Sequence, residues 1–309
     1  MRSGCSACCG PWIGRRSLAD SDAAAVVATA SELLQLEVVA EDRFRSLYNL
    51  DNYAGAIFGG QALGQALAAA QRTAPDWPAH SLSGYFLRGG AVDQPVDYAV
   101  ERVNDTRRFA ARRVLASQAG RPIFDLLCSF HDPEAGLEHQ FALLCDPPAP
   151  ESLLNVQAFA RANADRLESL TVQLFTKPFP VELRLLEPEQ IFFDKPNAPQ
   201  RDFWFRIPSA DAVERPQDHQ ALLAIMSDYW LAGAAGAPHL SANTRRGVSV
   251  ASLNHSLWLH APARTDDWLL YRTDSSWAAQ GRGLARGLIY DRDGRLVATA
   301  MQEVLMRLR

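Results

Sequence analysis

Cysteine is scarce and poorly placed for a covalent framework. Five occur, Cys5, Cys8, Cys9, Cys128 and Cys145, three of them within the first nine residues. An odd, lopsided set excludes a disulfide scaffold and suits a reducing, cytoplasmic setting. No second Cys/His pair stands near Cys5 and Cys8, so a four-ligand zinc site is not built there. An excess of one charge is also missing. Lys+Arg 31 against Asp+Glu 35 leaves a net charge of −4, without the basic footprint of a nucleic-acid binder. No apolar run reaches the roughly 18 residues of a membrane-spanning helix. Gly-x-Ser-x-Gly is absent, which argues against an α/β-hydrolase. Gly281, Gly283 and Gly287 do not open a helix after a strand, so they form no dinucleotide loop. The last residues, Met306–Arg309, are not a Ser-Lys-Leu peroxisomal address.

What is present is the material of a large core. Hydrophobic residues make up 48% and charged residues 21%, with 7 Trp and 14 Phe among 309 residues. That length suggests about two domains. Residues 1–30 read as a flexible tail. Arg2, Arg15 and Arg16, with no acid before Asp20, resemble a transit peptide, but Gly10 and Pro11 interrupt any amphipathic helix.

From Glu41 the pattern is punctuated. Phe58-Gly59-Gly60 leads into a helix over Gln61–Thr73, with Leu63, Leu67 and Ala70 at helical spacing, stopped by Pro75 and Pro78. Four strands are predicted after it, at His80–Arg88, Val96–Val103, Phe109–Gln118 and Pro122–His131. A Pro-rich and polar stretch follows, with a helical segment around Val156–Leu170. Strands are then expected at Val181–Leu186 and Asp202–Ile207, and a helix at His219–Ala235. Further strands are expected at Val248–His260, Trp268–Asp274, Gly283–Tyr290 and Leu296–Met306. The second half repeats the first. Gly120-Arg121-Pro122-Ile123 answers Gly294-Arg295-Leu296-Val297, which sets Arg112 opposite Arg286. The implied class is α+β, two tandem helix-wrapped antiparallel sheets whose edges can join into one. Boundaries are drawn at 31–135 for the first repeat, 136–180 for a linker and 181–309 for the second repeat.

Several blocks carry a family resemblance over residues 32–309. They are Phe58-Gly59-Gly60-Gln61, Tyr85-Phe86-Leu87-Arg88, Glu134-Ala135-Gly136, Ser227-Asp228, His255-Ser256 with Trp258, and Gln302-Glu303. In this order they resemble the type II acyl-CoA thioesterases, whose fold is a double hot-dog. The resemblance implies hydrolysis of medium- to long-chain fatty acyl-CoA with no cofactor, in a cytoplasmic homo-oligomer with neither nucleic-acid nor membrane partner. It also implies a catalytic trio at Asp228, Ser252 and Gln302. Asn254 stands where the family commonly shows Asp, and Gly89-Gly90 replaces a more usual Pro-Gly.

The residue types suit that chemistry. A carboxylate on an otherwise apolar helix, between Met226 and Tyr229-Trp230, calls for hydrogen-bonding partners, and Ser252 and Gln302 supply donors. The first repeat lacks the trio: Gln302 falls opposite Cys128, Ser252 opposite His80 and Asp228 near Ala69. Its contribution is read as the helix start Gly59, Gly60 and Gln61, either as N–H groups for substrate or as glycines for a tight turn. Arg107-Arg108 and Arg112-Arg113 suit either coenzyme A phosphates or an outer strand face. His255 and His260 lack a metal-ligand spacing and read as hydrogen-bonding residues. A hydratase on the same fold and a non-catalytic acyl-CoA-binding module are the alternatives.

Overall fold

The computed structural model describes residues 27–52, 55–143, 146–193, 198–240 and 247–308. The expectations for Cys5, Cys8, Cys9 and Cys145 and for most of the tail lie outside them. Seven α-helices are described: α1 (Ala30–Leu34), α2 (Gly59–Gln71), α3 (Val156–Ala162), α4 (Ser169–Thr176), α5 (Glu189–Phe192), α6 (Pro216–Asp228) and α7 (Ala232–Gly236). The strands of the first half are β1 (Leu36–Ala40), β2 (Arg43–Ser46), β3 (Ala79–Phe86), β4 (Asp97–Asp105), β5 (Phe109–Gln118) and β6 (Arg121–His131). Those of the second are β7 (Glu182–Leu185), β8 (Gln200–Arg206), β9 (Val248–Ser252), β10 (Asn254–Leu259), β11 (Leu269–Ala279), β12 (Arg282–Tyr290) and β13 (Leu296–Leu308).

All thirteen strands join one antiparallel sheet, ordered β1-β2-β4-β5-β6-β3-β10-β13-β12-β11-β8-β7, with β9 also on β13. The two halves meet at β3 and β10, in register from Asn254↔Tyr85 to Trp258↔Ser81. The expected merger of the two sheets is therefore present. Two strands and a short helix that the sequence reading did not anticipate precede α2. Thr29 and Glu32 close a capping box on α1, so ordered structure begins before residue 31.

Helices α2 and α6 pack against each other in opposite directions on the inner face. Their small residues set the distance. A Cβ added at Gly64 would stand 2.3 Å from Ile225 Cγ1 and 2.6 Å from the Ala221 carbonyl oxygen. Leu63 and Leu67 of α2 are fully buried; truncating such a leucine costs about 2–5 kcal/mol.

The ladder corrects the repeat alignment by one residue. Cys128 pairs with Arg112 as Gln302 pairs with Ala285, so Arg112 answers Ala285. Arg113, which pairs with Leu127, answers Arg286, which pairs with Met301. Each outer arginine has an acid on a neighbouring strand, Arg113 with Asp125 of β6 and Arg286 with Asp274 of β11. The cause is turn length: four residues, 118–121, separate Ser117 from its partner Pro122, whereas five, 291–295, separate Tyr290 from Leu296. A one-residue slip moves a strand residue to the other face. Arg112 is accordingly buried, with its guanidinium on Thr73 and Asp105.

Candidate active site

Helix α6 ends at Asp228, although the sequence predicts one helix over His219–Ala235. Tyr229 is extended (φ −71°, ψ 115°) and Trp230 has φ +64° before α7 begins. Apart from Trp230, the positive-φ non-glycine residues described are Asp42, Ala119 and Gln280, each beside a strand hairpin. A bulky residue in the left-handed region needs support from its surroundings. Aromatic packing supplies it. Tyr229 stacks on Phe179 at 4.5 Å, and Trp230 meets the edges of Phe175 and Phe203 at 5.8 and 6.2 Å.

The break leaves Asp228 at the end of α6 and against the N-terminus of α2. The Gly60 N–H donates to its carboxylate, where the helix dipole also favours negative charge. From β13, Gln302 donates through Nε2 to Asp228 Oδ1 and lies 2.7 Å from Ser252 Oγ. From the end of β9, the Ser252 hydroxyl donates to Asp228 Oδ1 at 3.3 Å. The three residues expected from the sequence thus converge across 74 residues of chain. Burial pushes the Asp228 carboxyl up to about 6, against the downward pull of Gln302, Ser252 and Gly60. A carboxylate poised near neutral pH is suited to taking and returning a proton.

Asp228, Ser252 and Gly59 open on a cavity of about 530 Å³ whose wall includes Phe58, Leu170, Leu174, Phe175, Phe179, Ile191 and Trp230. Gln302 is fully buried behind the pair and does not line it. Much of this wall comes from residues 170–191, around α4 and α5. The spacing of Leu170 and Leu174 was the sequence signal available for it.

The helix-start residues divide. Gly59 lines the cavity, and a Cβ there would come within 2.9 Å of the Phe86 ring and 3.1 Å of Asp228 Oδ2. A Cβ on Gly60 would stand 2.5 Å from the Ile225 carbonyl oxygen. Neither has a positive φ, so close approach rather than turn geometry requires the glycines. Gln61 is a correction. Its amide accepts the Leu50 N–H at 2.5 Å and donates to the carbonyls of Tyr48 and Leu33, at 3.0 and 3.3 Å, away from the cavity. Both amide atoms are committed to backbone groups, and Gln61 does not line the cavity.

The arginine pairs do not line the cavity either: Arg108 meets Glu134 and Asp132, while Arg112 and Arg113 are paired as described. Asn254 Oδ1 accepts the Glu303 N–H at 3.0 Å. His260 Nε2 shares a hydrogen bond with Thr299. No cluster of His, Cys, Asp or Glu among the described residues could hold a metal. No described helix is long and apolar enough to cross a membrane.

Known proteins are similar to this chain along most of its length. Two family models, described as the acyl-CoA thioesterase N-terminal and C-terminal domains, match residues 49–131 and 150–306. Acyl-coenzyme A thioesterase 8 of Mus musculus is 35% identical over 294 residues, covering 90% of this chain and 89% of that protein. Acyl-CoA thioesterase 2 of Haemophilus influenzae is 34% identical over 279 residues, covering 89% and 96%. Among solved structures, acyl-CoA thioesterase II TesB2 of Mycobacterium marinum superposes with a TM-score of 0.71 at 34% identity, covering 91% of this chain and 97% of that one. With two thioesterase domains in tandem and one hot-dog sheet running through both, the chain belongs to the acyl-CoA thioesterase family.

Proposed function

We propose that this thioesterase hydrolyses medium- to long-chain fatty acyl-CoA by water activated at Asp228, with Ser252 and Gln302 holding the carboxylate. The observation that carries the reading is the Gln302–Ser252–Asp228 cluster at a cavity whose wall includes Phe58, Leu170, Leu174, Phe175 and Phe179. Water attacks the thioester carbonyl carbon and passes a proton to Asp228. The carbonyl oxygen takes up negative charge beside the start of α2, where Gly59 lines the wall. When the carbon–sulfur bond breaks, Asp228 returns its proton to the thiolate. Ser252 acts as a donor in this scheme, since its hydroxyl already points to Asp228.

The same reading includes a cytoplasmic homo-oligomer. Tyr85, Leu127 and Trp258 stand exposed on the outer face of three adjacent strands, β3, β6 and β10, and apolar groups on such a face favour association. Light scattering on the purified protein gives the subunit number.

Thiol release from acyl-CoAs of increasing chain length tests the chemistry. Turnover that peaks at a medium or long chain and vanishes in Asp228→Asn supports the scheme. A folded protein that binds acyl-CoA without releasing thiol is instead a binding module. Loss of the double bond from an enoyl-CoA, again without thiol, points to a hydratase.

A further inference from the structure

We propose that His255 is a positioning residue for this site: anchored by Ser227, it turns an unprotonated ring nitrogen toward Asp228 and thereby keeps that carboxylate basic. The inference rests on Asp228 being the proton acceptor.

His255 lies on β10 with no exposed surface. Its Nε2 is 2.9 Å from Ser227 Oγ, and that hydroxyl is 2.8 Å from the Ala224 carbonyl oxygen. A carbonyl only accepts, so the single hydroxyl proton of Ser227 goes to Ala224. Ser227 therefore presents a lone pair to His255, and the ring proton resides on Nε2. Burial keeps the imidazole neutral by holding its pKa down at about 3. A neutral ring has one N–H, which leaves Nδ1 bare. Nδ1 stands 3.8 Å from Asp228 Oδ1 and has no hydrogen-bond partner.

A lone pair facing a carboxylate oxygen in a dry interior disfavours the anion. The donors from Gln302, Ser252 and Gly60 favour it. Balance between the two sides suits a base that must both take a proton and release it. Among the described residues Tyr229 lines the cavity beside Asp228, and from β11 the Tyr271 hydroxyl donates to the Ser227 carbonyl at 2.7 Å. Arg201 on β8 lines the same cavity. The fold itself does not need a histidine here. In the first half the corresponding residue is Leu82, paired with Cys128 and equally buried.

The test is the pH dependence of thiol release by the full chain carrying Ser227→Ala or His255→Gln. Without Ser227 the ring is free to place its proton on Nδ1, facing the carboxylate. His255→Gln keeps a donor for Ser227 and removes the bare nitrogen. In both, the acidic limb of kcat/KM is expected to move down by about one pH unit, the usual size of a hydrogen-bond or charge effect. The plateau of kcat should fall several-fold while KM stays near wild type. Nitrogen-15 spectra of the wild-type protein should show the His255 proton on Nε2. A proton on Nδ1, or a limb that stays put or moves up, overturns the proposal. Failure of the underlying reading looks different: either no thiol is released at any pH, or Asp228→Asn remains active.

Discussion

Ser83 and Ser256 pair with each other across the junction of the two halves, their hydroxyls 2.8 Å apart, and each is the other's counterpart in the repeat. The two-fold relation between the halves passes between them. Around that axis the halves differ at the positions that matter for chemistry. Ala79, which pairs with Phe130, answers Ser252, which pairs with Val304; the sequence alignment had set His80 there. Cys128 answers Gln302, and Gln71, the last residue of α2, answers Asp228, the last of α6. In the first half Gln220 bonds both backbone groups of Ala79, and Gln71 bonds the Gln217 carbonyl. The polar cluster is thus built once among the described residues, and its mirror position is filled by structural amides.

Asp228→Asn keeps the shape of the side chain and removes the base. It should lower kcat/KM by about 10²–10⁴-fold, the usual share of general-base catalysis. Ser252→Ala removes a donor to a charged group and should cost roughly 10–100-fold. Ser252→Thr keeps the hydroxyl and should retain most activity. Thiol release at saturating and limiting acyl-CoA checks all three.

Stability should respond to pH in opposite senses at the two buried groups. The folded Asp228 carboxyl titrates at about 6 against an ordinary 3.8, so it binds its proton more tightly when folded. Its stabilising share is present below 3.8 and lost as pH rises to about 6, a change on the order of 3 kcal/mol. His255 titrates at about 3 when folded against an ordinary 6.5, so its share is lost as pH falls below 6.5. In the wild type the trends oppose each other. Asp228→Asn should therefore gain on the wild type between about pH 4 and pH 6, and should itself weaken more steeply on acidification. Urea melts across this range decide it; a constant difference would contradict the assignment.

Gly64→Ala tests the helix contact. The added methyl meets Ile225 Cγ1 and the Ala221 carbonyl, and α6 must shift. A loss of about 1–3 kcal/mol is expected, together with lower kcat because α6 carries Asp228. Denaturant midpoints and turnover are read on the same preparations.

Gln61→Leu should separate stability from catalysis. It strands the Leu50 N–H, while the carbonyls of Tyr48 and Leu33 keep the Gln65 amide as donor, at a cost of about 1–3 kcal/mol. Because the Gln61 amide points away from the cavity, kcat/KM of the folded fraction should remain at the wild-type level. A selective loss of activity would return Gln61 to the substrate site.

Local pattern in the sequence determined a good deal. Helical spacing marked α2, alternating runs and turn residues marked most strands, and the repeat of these units implied a tandem α+β sheet. The ordered blocks around Asp228, Ser252 and Gln302 pointed to the residues that the fold brings together. Other features were decided only by tertiary structure. The extra turn residue in 291–295 makes Ala285, not Arg286, the counterpart of the inward-facing Arg112, since facing depends on ladder register and not on similarity of runs. Aromatic contacts from distant segments ended α6 at Tyr229, where no glycine or proline marks a stop. Gln61 belongs to the loop before α2, and His255 to Ser227 and Asp228, because a buried polar group takes the partners that folding places beside it. Periodicity records which way a side chain faces along its own element; what it meets there depends on residues far away in the chain.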